Sequence, residues 1–132
     1  MFDLVDLMEL PDVVFTGRVN VTEYLGGLDF TILTSISEGQ PLTILEGYAA
    51  KLPAIATDVG TAGDCCTART MIWRVGNSDA HHERERRSRM MVNLARHPVR
   101  RKQMGENGYR RVMAKYKISD MQQTYRKDLR NV

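Results

Sequence analysis

Residues 28–60 read Leu-Asp-Phe-Thr-Ile-Leu-Thr-Ser-Ile-Ser-Glu-Gly-Gln-Pro-Leu-Thr-Ile-Leu-Glu-Gly-Tyr-Ala-Ala-Lys-Leu-Pro-Ala-Ile-Ala-Thr-Asp-Val-Gly. The apolar run from Phe30 to Leu33 gives way to small polar residues and then to Glu38-Gly39-Gln40-Pro41, after which Leu42, Leu45, Ala49 and Leu52 recur at helical spacing. This is strand, loop, helix. Pro41 suits a first helical turn, where its missing N–H leaves no bond unmade, so the spacing predicts a helix over 41–51. Ala54-Ile55-Ala56 is a second apolar run, closed by Thr57-Asp58-Val59-Gly60 in the manner of a strand end and a turn. Two strands joined by a helix of this length make a parallel βαβ unit with a right-handed crossover.

Ligands of such sheets bind beyond the carboxyl ends of the strands, where both the 35–40 loop and the 58–60 turn are expected. Gly39 lets backbone approach a ligand with no Cβ in the way. The helix beginning near Pro41 aims first-turn amides and a partial positive charge at the same place, which suits phosphate. Glu38 on the rim would repel an anion, so it suits hydroxyls instead. Glu46 lies farther along the helix, roughly 8 Å from its start at about 1.5 Å per residue. Two carboxylates around a phosphate-friendly helix end suit a ligand that carries both phosphate and sugar hydroxyls.

Outward from this stretch the reading is helix 1–9, strand 13–15, helix 20–27, strand 29–33, helix 41–51, strand 53–57, a helical turn near 61–66, strand 71–75 and helices 78–96, 98–114 and 118–130. Alternation of this kind means α/β, a parallel sheet with helices on both faces. Pro11 and Pro98 punctuate it, and Asn20 or Thr22 is placed to cap the helix carrying Tyr24 and Leu25. At 132 residues and 42% hydrophobic content the chain is one domain, 1–132, with one ordinary core.

The stretch from Glu38 through Gly39 and Pro41 to Glu46, followed by Leu52-Pro53-Ala54-Ile55-Ala56-Thr57-Asp58-Val59-Gly60, resembles the donor-binding half of retaining glycosyltransferase family 4. Val13-Val14-Phe15-Thr16-Gly17-Arg18-Val19, Tyr24-Leu25-Gly26-Gly27-Leu28-Asp29 and Arg101-Lys102-Gln103-Met104-Gly105-Glu106-Asn107-Gly108 resemble flanking parts of that half. Ser37-Glu38-Gly39-Gln40-Pro41-Leu42 is most similar to the Pel exopolysaccharide-type transferases. The resemblance implies the C-terminal half of a GT-B fold, Rossmann-like, here without its first strands and with a helical C-terminus.

It implies a function too: transfer of a sugar, with retention, from a nucleotide sugar such as a uridine diphosphate sugar to a glycan acceptor, in polysaccharide biosynthesis. Glu38 would bind the transferred sugar and stabilise the positive charge at its anomeric carbon. Glu46 would accept from ribose hydroxyls, while Gly39, Gln40, Pro41 and Leu42 cradle the diphosphate. Such transferases need no bound metal or other cofactor. In relatives an Arg/Lys pair ahead of this segment holds the diphosphate; here Arg18, following Gly17, is the early cation placed to help, or else a surface residue. The N-terminal acceptor domain is expected to be supplied from elsewhere, and a chain of this size acting alone is expected to transfer nothing. The absence of that Arg/Lys pair is the largest departure from the family's pattern, and the resemblance frays again over residues 61–80.

Taken alone, each glutamate reads as a solvated carboxylate and 39–42 as an ordinary tight loop. His81 and His82, adjacent on a helix, point in different directions and do not make a metal site. Cys65 and Cys66 are adjacent as well, so they offer neither metal spacing nor a disulfide framework. No Gly-x-Gly-x-x-Gly follows a strand, which removes a dinucleotide-binding enzyme.

Charge is divided unevenly. Residues 1–80 hold 4 Lys/Arg against 11 Asp/Glu, a net of −7, and residues 81–132 hold 15 against 5, a net of +10, which sum to the +3 of the chain. The competing reading is therefore a non-catalytic docking module whose basic C-terminal helices meet a membrane surface or a partner subunit. Few aromatics interleave with those cations, so nucleic acid is not expected. No apolar run reaches membrane-span length and the acidic start lacks a signal peptide's basic region, so the expected place is the cytoplasm, peripheral to the inner face of the membrane.

Overall fold

The computed structural model describes residues 5, 7–35, 37–57, 72–73 and 80–130. Three strands make one parallel sheet in the order β1-β2-β3: β1 (Thr31–Leu33), β2 (Ala54–Thr57) and β3 (Ile72–Trp73). Thr31, Ile32 and Leu33 stand opposite Ala54, Ile55 and Ala56, and Ala56 and Thr57 stand opposite Ile72 and Trp73. The helices are α1 (Leu42–Ala49), α2 (Ala80–Arg96), α3 (Pro98–Lys115) and α4 (Ile118–Asp128). The predicted βαβ unit is β1-α1-β2.

Strand β2 is buried along its whole length, as a central parallel strand must be. Its residues alternate between faces. Ala54 and Ala56 pack with Ile44 and Tyr48 of α1 and Val112 of α3; Ile55 packs with Leu94 of α2 and Met104 of α3, flanked by Phe30 and Met90. Helices thus cover both faces. On α2, Leu94 is fully buried and Met90 half-buried, while Met91 is exposed, being turned about 100° from Met90.

The crossing of α3 over the end of α1 is set by two glycines three residues apart. A Cβ on Gly105 would sit 1.7 Å from the carbonyl oxygen of Lys51, and one on Gly108 would sit 2.4 Å from the ring of Tyr48. Helix α1 ends in a Schellman motif, with Leu52 N–H donating to the Gly47 carbonyl (2.8 Å) and Lys51 N–H to that of Tyr48 (3.0 Å). Lys51 holds the left-handed position, φ 62°, which favours glycine. Its ammonium donates to Glu106 Oε1 at 3.0 Å and lies 5.1 Å from the centre of the Tyr109 ring. Arg101 is a second tie: its guanidinium donates to the carbonyls of Leu94 (2.7 Å) and Ala95 (3.0 Å) at the end of α2, and pairs with Asp29 (2.7 Å) just ahead of β1.

The Lys51 contact makes a pH prediction. The hydrogen bond from Lys51, helped by the charges of Lys51, Arg110 and Lys102, holds the Glu106 carboxyl below its ordinary value. A depressed carboxylate stabilises the fold above its unfolded pKa and loses that contribution as pH falls through the folded one. In thermal melts, Lys51→Met should therefore cost most at neutral pH and progressively less as pH drops below about 4.3. A deficit constant with pH would mean that only the Tyr109 contact matters.

Several expected elements differ. The run Val13-Val14-Phe15 forms no strand; all three residues are exposed, Val14 by 80%, and a β-prone run that packs neither face gains little from the extended conformation. Instead of a helix over 20–27 there are two short 3-10 turns, Val21–Glu23 and Leu25–Gly27. β-Branched Val21 and Thr22 and the Gly26-Gly27 pair are poor α-helix formers. The predicted cap holds at Asn20, whose Oδ1 accepts from Thr22 N–H (3.4 Å) and Thr22 Oγ1 (2.8 Å). Helix 41–51 is shorter at both ends: Pro41 is the N-cap residue, not part of the first turn, and the Schellman turn closes it. Val5 and Leu7 are helical and the helix closes at Glu9, with φ 49° and the Leu10 N–H donating to the Val5 carbonyl (3.2 Å). The turn near 61–66 and the Asp58-Val59-Gly60 turn lie outside the described residues.

Candidate functional site

The loop that leaves β1 is anchored across the sheet's carboxyl end. Buried Thr57, the last residue of β2, donates its hydroxyl to the Ser35 carbonyl at 2.5 Å. This fixes the start of the segment that carries Glu38, Gly39 and Gln40 into α1. Pro41 is buried and its carbonyl accepts from Ile44 N–H at 3.1 Å, so α1 begins at one defined place beside the strand ends. Burial of Ile44, Gly47 and Tyr48 turns the opposite face of α1 outward. Leu42 and Glu46, four residues apart, share that exposed face. Glu38 is half-buried, and Gly39 and Gln40 are exposed.

Gly39 contrasts with the packing glycines. A Cβ there would meet nothing within 4 Å, and its φ is not left-handed. Nothing within the described fold demands glycine at that position. Free space around that Cα at a helix start is what close approach by an outside group would need.

Beside this start lies a cavity of about 410 Å³, into which Gln40, Leu42 and Leu45 face from one side. The other wall includes Lys115, Tyr116 and Lys117 at the junction of α3 and α4. Sequence reading missed these two lysines because they stand 75 and 77 positions after Gln40, and only the packing of α3 on α1 brings them near. Gly17 and Arg18 are exposed in the irregular segment before the 3-10 turns, Gly17 with φ +66°. No hydrogen bond or ion pair among the described residues joins either to the 38–46 stretch.

Among the described residues no group of three or more His, Cys, Asp and Glu gathers as a metal site would. The side chains of His81 and His82, and both cysteines, lie outside the described residues.

What this arrangement offers chemically is a helix start with an open approach, two carboxylates at different distances from it and two cations across a cavity. That combination suits a polar, phosphorylated ligand.

Comparison with known proteins agrees with this architecture. The sequence matches the family described as "Glycosyl transferases group 1" over residues 3–85, more than half of the chain. TuaC of Bacillus subtilis (strain 168), which carries the name of a teichuronic acid biosynthesis glycosyltransferase, is 42% identical over 50 residues, 36% of this chain and 13% of TuaC. Sucrose-phosphate synthase from Thermosynechococcus elongatus superposes with a TM-score of 0.75 at 23% identity, over 99% of this chain and 34% of the synthase. The C-terminal domain of a group 1 glycosyl transferase family protein (LpcC) from Francisella tularensis gives a TM-score of 0.65 at 23% identity, over 89% of this chain and 60% of that one. The chain thus spans less than two thirds of the length of each. The fold is that of the GT-B glycosyltransferases, and the chain belongs to the group 1 glycosyltransferase family.

Proposed function

We propose that this chain is the donor-binding part of a retaining, family 4 type glycosyltransferase that takes a hexose from a nucleotide sugar, a uridine diphosphate sugar in particular, in exopolysaccharide or related glycan biosynthesis at the cytoplasmic side of the membrane. The observation that carries the reading is the tethered 35–42 loop at the carboxyl end of a parallel sheet, with Glu38 on the loop and Glu46 on the outward face of the helix it starts. The diphosphate lies against Gly39, Gln40, Pro41 and Leu42, where the helix start supplies amide donors and partial positive charge. Lys115 and Lys117 face the same cavity as Gln40 and Leu42 and supply cationic charge. Gly17 and Arg18 are a further assisting pair if they fold toward the loop on binding.

Glu46 accepts from the ribose hydroxyls and Glu38 from hydroxyls of the transferred sugar. As the bond from the anomeric carbon to the diphosphate oxygen breaks, positive charge develops on the sugar, and Glu38 stabilises it. The acceptor's hydroxyl oxygen bonds to the anomeric carbon on the face that the diphosphate leaves and gives its proton to the departing oxygen, which keeps the anomeric configuration. A glycan acceptor and an acceptor-binding domain complete the reaction.

Titration of the purified chain with a uridine diphosphate sugar, alongside a sugar-free polyanion such as heparin, tests the reading. Saturable binding of the nucleotide sugar that heparin does not displace supports it. Binding of heparin alone would instead fit a basic docking module.

A further inference from the structure

Thr57 is the polar residue of an otherwise apolar strand, and it is 3% exposed. Strand propensity does not ask for its hydroxyl, because valine is β-branched as well and leaves no polar group to satisfy. The hydroxyl is used across the sheet's carboxyl end, where it donates to the Ser35 carbonyl 22 residues earlier in the chain. The ladder of β1 on β2 ends at the pair Leu33 and Ala56. Ser35 stands two residues beyond that end, so the side chain of Thr57 carries the tie between the two segments past their last paired residues.

We propose that Thr57 is a positioning residue: through Ser35 its hydroxyl sets where Glu38 stands, and so governs recognition of the transferred sugar without touching it. The inference rests on the donor-site reading above and divides that site into two parts. The diphosphate part belongs to the start of α1, which its own packing holds. Pro41 is buried, its carbonyl accepts from Ile44 N–H, and Ile44 and Tyr48 sit in the core. The sugar part belongs to the loop, where half-buried Glu38 follows Ser35 by three residues. Releasing the start of the loop therefore disturbs Glu38 and leaves the helix start in place. A loop that must be ordered at each binding event loses affinity, and ordering even one backbone residue costs a factor of about five or more. That loss falls on the ligand that uses Glu38.

Titration of free uridine diphosphate and a uridine diphosphate sugar against Thr57→Val, Thr57→Ala and Thr57→Ser tests this, together with backbone order parameters from nitrogen-15 relaxation of the unliganded proteins. The first two changes remove the hydroxyl and the third keeps it. Thr57→Val and Thr57→Ala should each bind the nucleotide sugar about fivefold or more weakly and free uridine diphosphate within about twofold of the parent. Thr57→Ser should match the parent for both ligands. Order parameters at Glu38, Gly39 and Gln40 should fall below about 0.6 in Thr57→Val and Thr57→Ala while those of α1 stay near about 0.85. A bond that served the fold alone would lower the melting temperature and leave the ratio of the two affinities unchanged. An unchanged ratio in both hydroxyl-free proteins, an equal loss in Thr57→Ser, or unchanged order parameters overturns the proposal. If the parent binds neither ligand, the donor-site reading fails and the sugar role of Thr57 with it, and the order parameters alone then decide whether the hydroxyl tethers the loop.

Discussion

Gly105→Ala should destabilise the fold by about 3 kcal/mol or more, against the direction that helix propensity alone predicts. Gly105 lies within α3, and alanine in a helix interior is favoured over glycine by about 1 kcal/mol. The added Cβ, however, would sit 1.7 Å from the Lys51 carbonyl oxygen. That oxygen is main chain, held in the Schellman turn that closes α1, so no side-chain rotation relieves the clash. Helix α3 would have to lift from α1, loosening the buried contacts of Met104 and Val112 and the Lys51–Glu106 pair. The overlap dominates the propensity gain. A thermal melt should fall by roughly 10 °C or more in a chain of this size. Gly39→Ala is the control, because its Cβ meets open space, and it should melt within a degree or two of the unmodified protein. A Gly105→Ala protein as stable as the parent would show that α3 and α1 do not cross as described.

The βαβ unit could be read from sequence because its signals are local. Apolar runs mark both strands, Pro41 marks the helix start, and the unbroken run Ala54-Ile55-Ala56 suits a strand covered on both faces. The signals failed where structure depends on a distant partner. Val13-Val14-Phe15 has strand chemistry, but all three residues are exposed, and propensity does not record whether a face will be packed. At Gly26-Gly27 the backbone cost of two glycines outweighs the helical spacing around them, and 3-10 turns result. The same distinction holds at the site. Glu38, Gly39 and Glu46 lie within nine consecutive positions of one loop and one helix, so their joint placement follows from local structure. Lys115 and Lys117 reach Gln40 only through the glycine-mediated packing of α3, and Arg101 reaches Asp29 only through tertiary folding. Gly105 and Gly108 are glycines because the Lys51 carbonyl and the Tyr48 ring leave no room for a Cβ, a reason that only the packed fold displays.

Glu46→Ala should weaken binding of a uridine diphosphate sugar by roughly 10- to 150-fold. A hydrogen bond to a charged group contributes about 1.5–3 kcal/mol, and every 1.4 kcal/mol is about tenfold in affinity. Glu46 is exposed on α1, so its truncation leaves the core residues Ile44 and Tyr48 in place and the loss should appear in binding, not in melting temperature. Because Glu46 is assigned to ribose, free uridine diphosphate should lose as much as the nucleotide sugar. Glu38 is assigned to the sugar, so Glu38→Ala should weaken the nucleotide sugar and leave free uridine diphosphate nearly unchanged.

Isothermal titration of uridine diphosphate and a uridine diphosphate sugar against the parent, Glu38→Ala and Glu46→Ala proteins, with and without a chelator, tests the donor-site assignment most directly. The expected result is loss for both ligands at Glu46, loss for the nucleotide sugar alone at Glu38, and no effect of the chelator. Unchanged affinity at Glu46, equal losses for the two ligands at Glu38, or binding that vanishes with the chelator would contradict it.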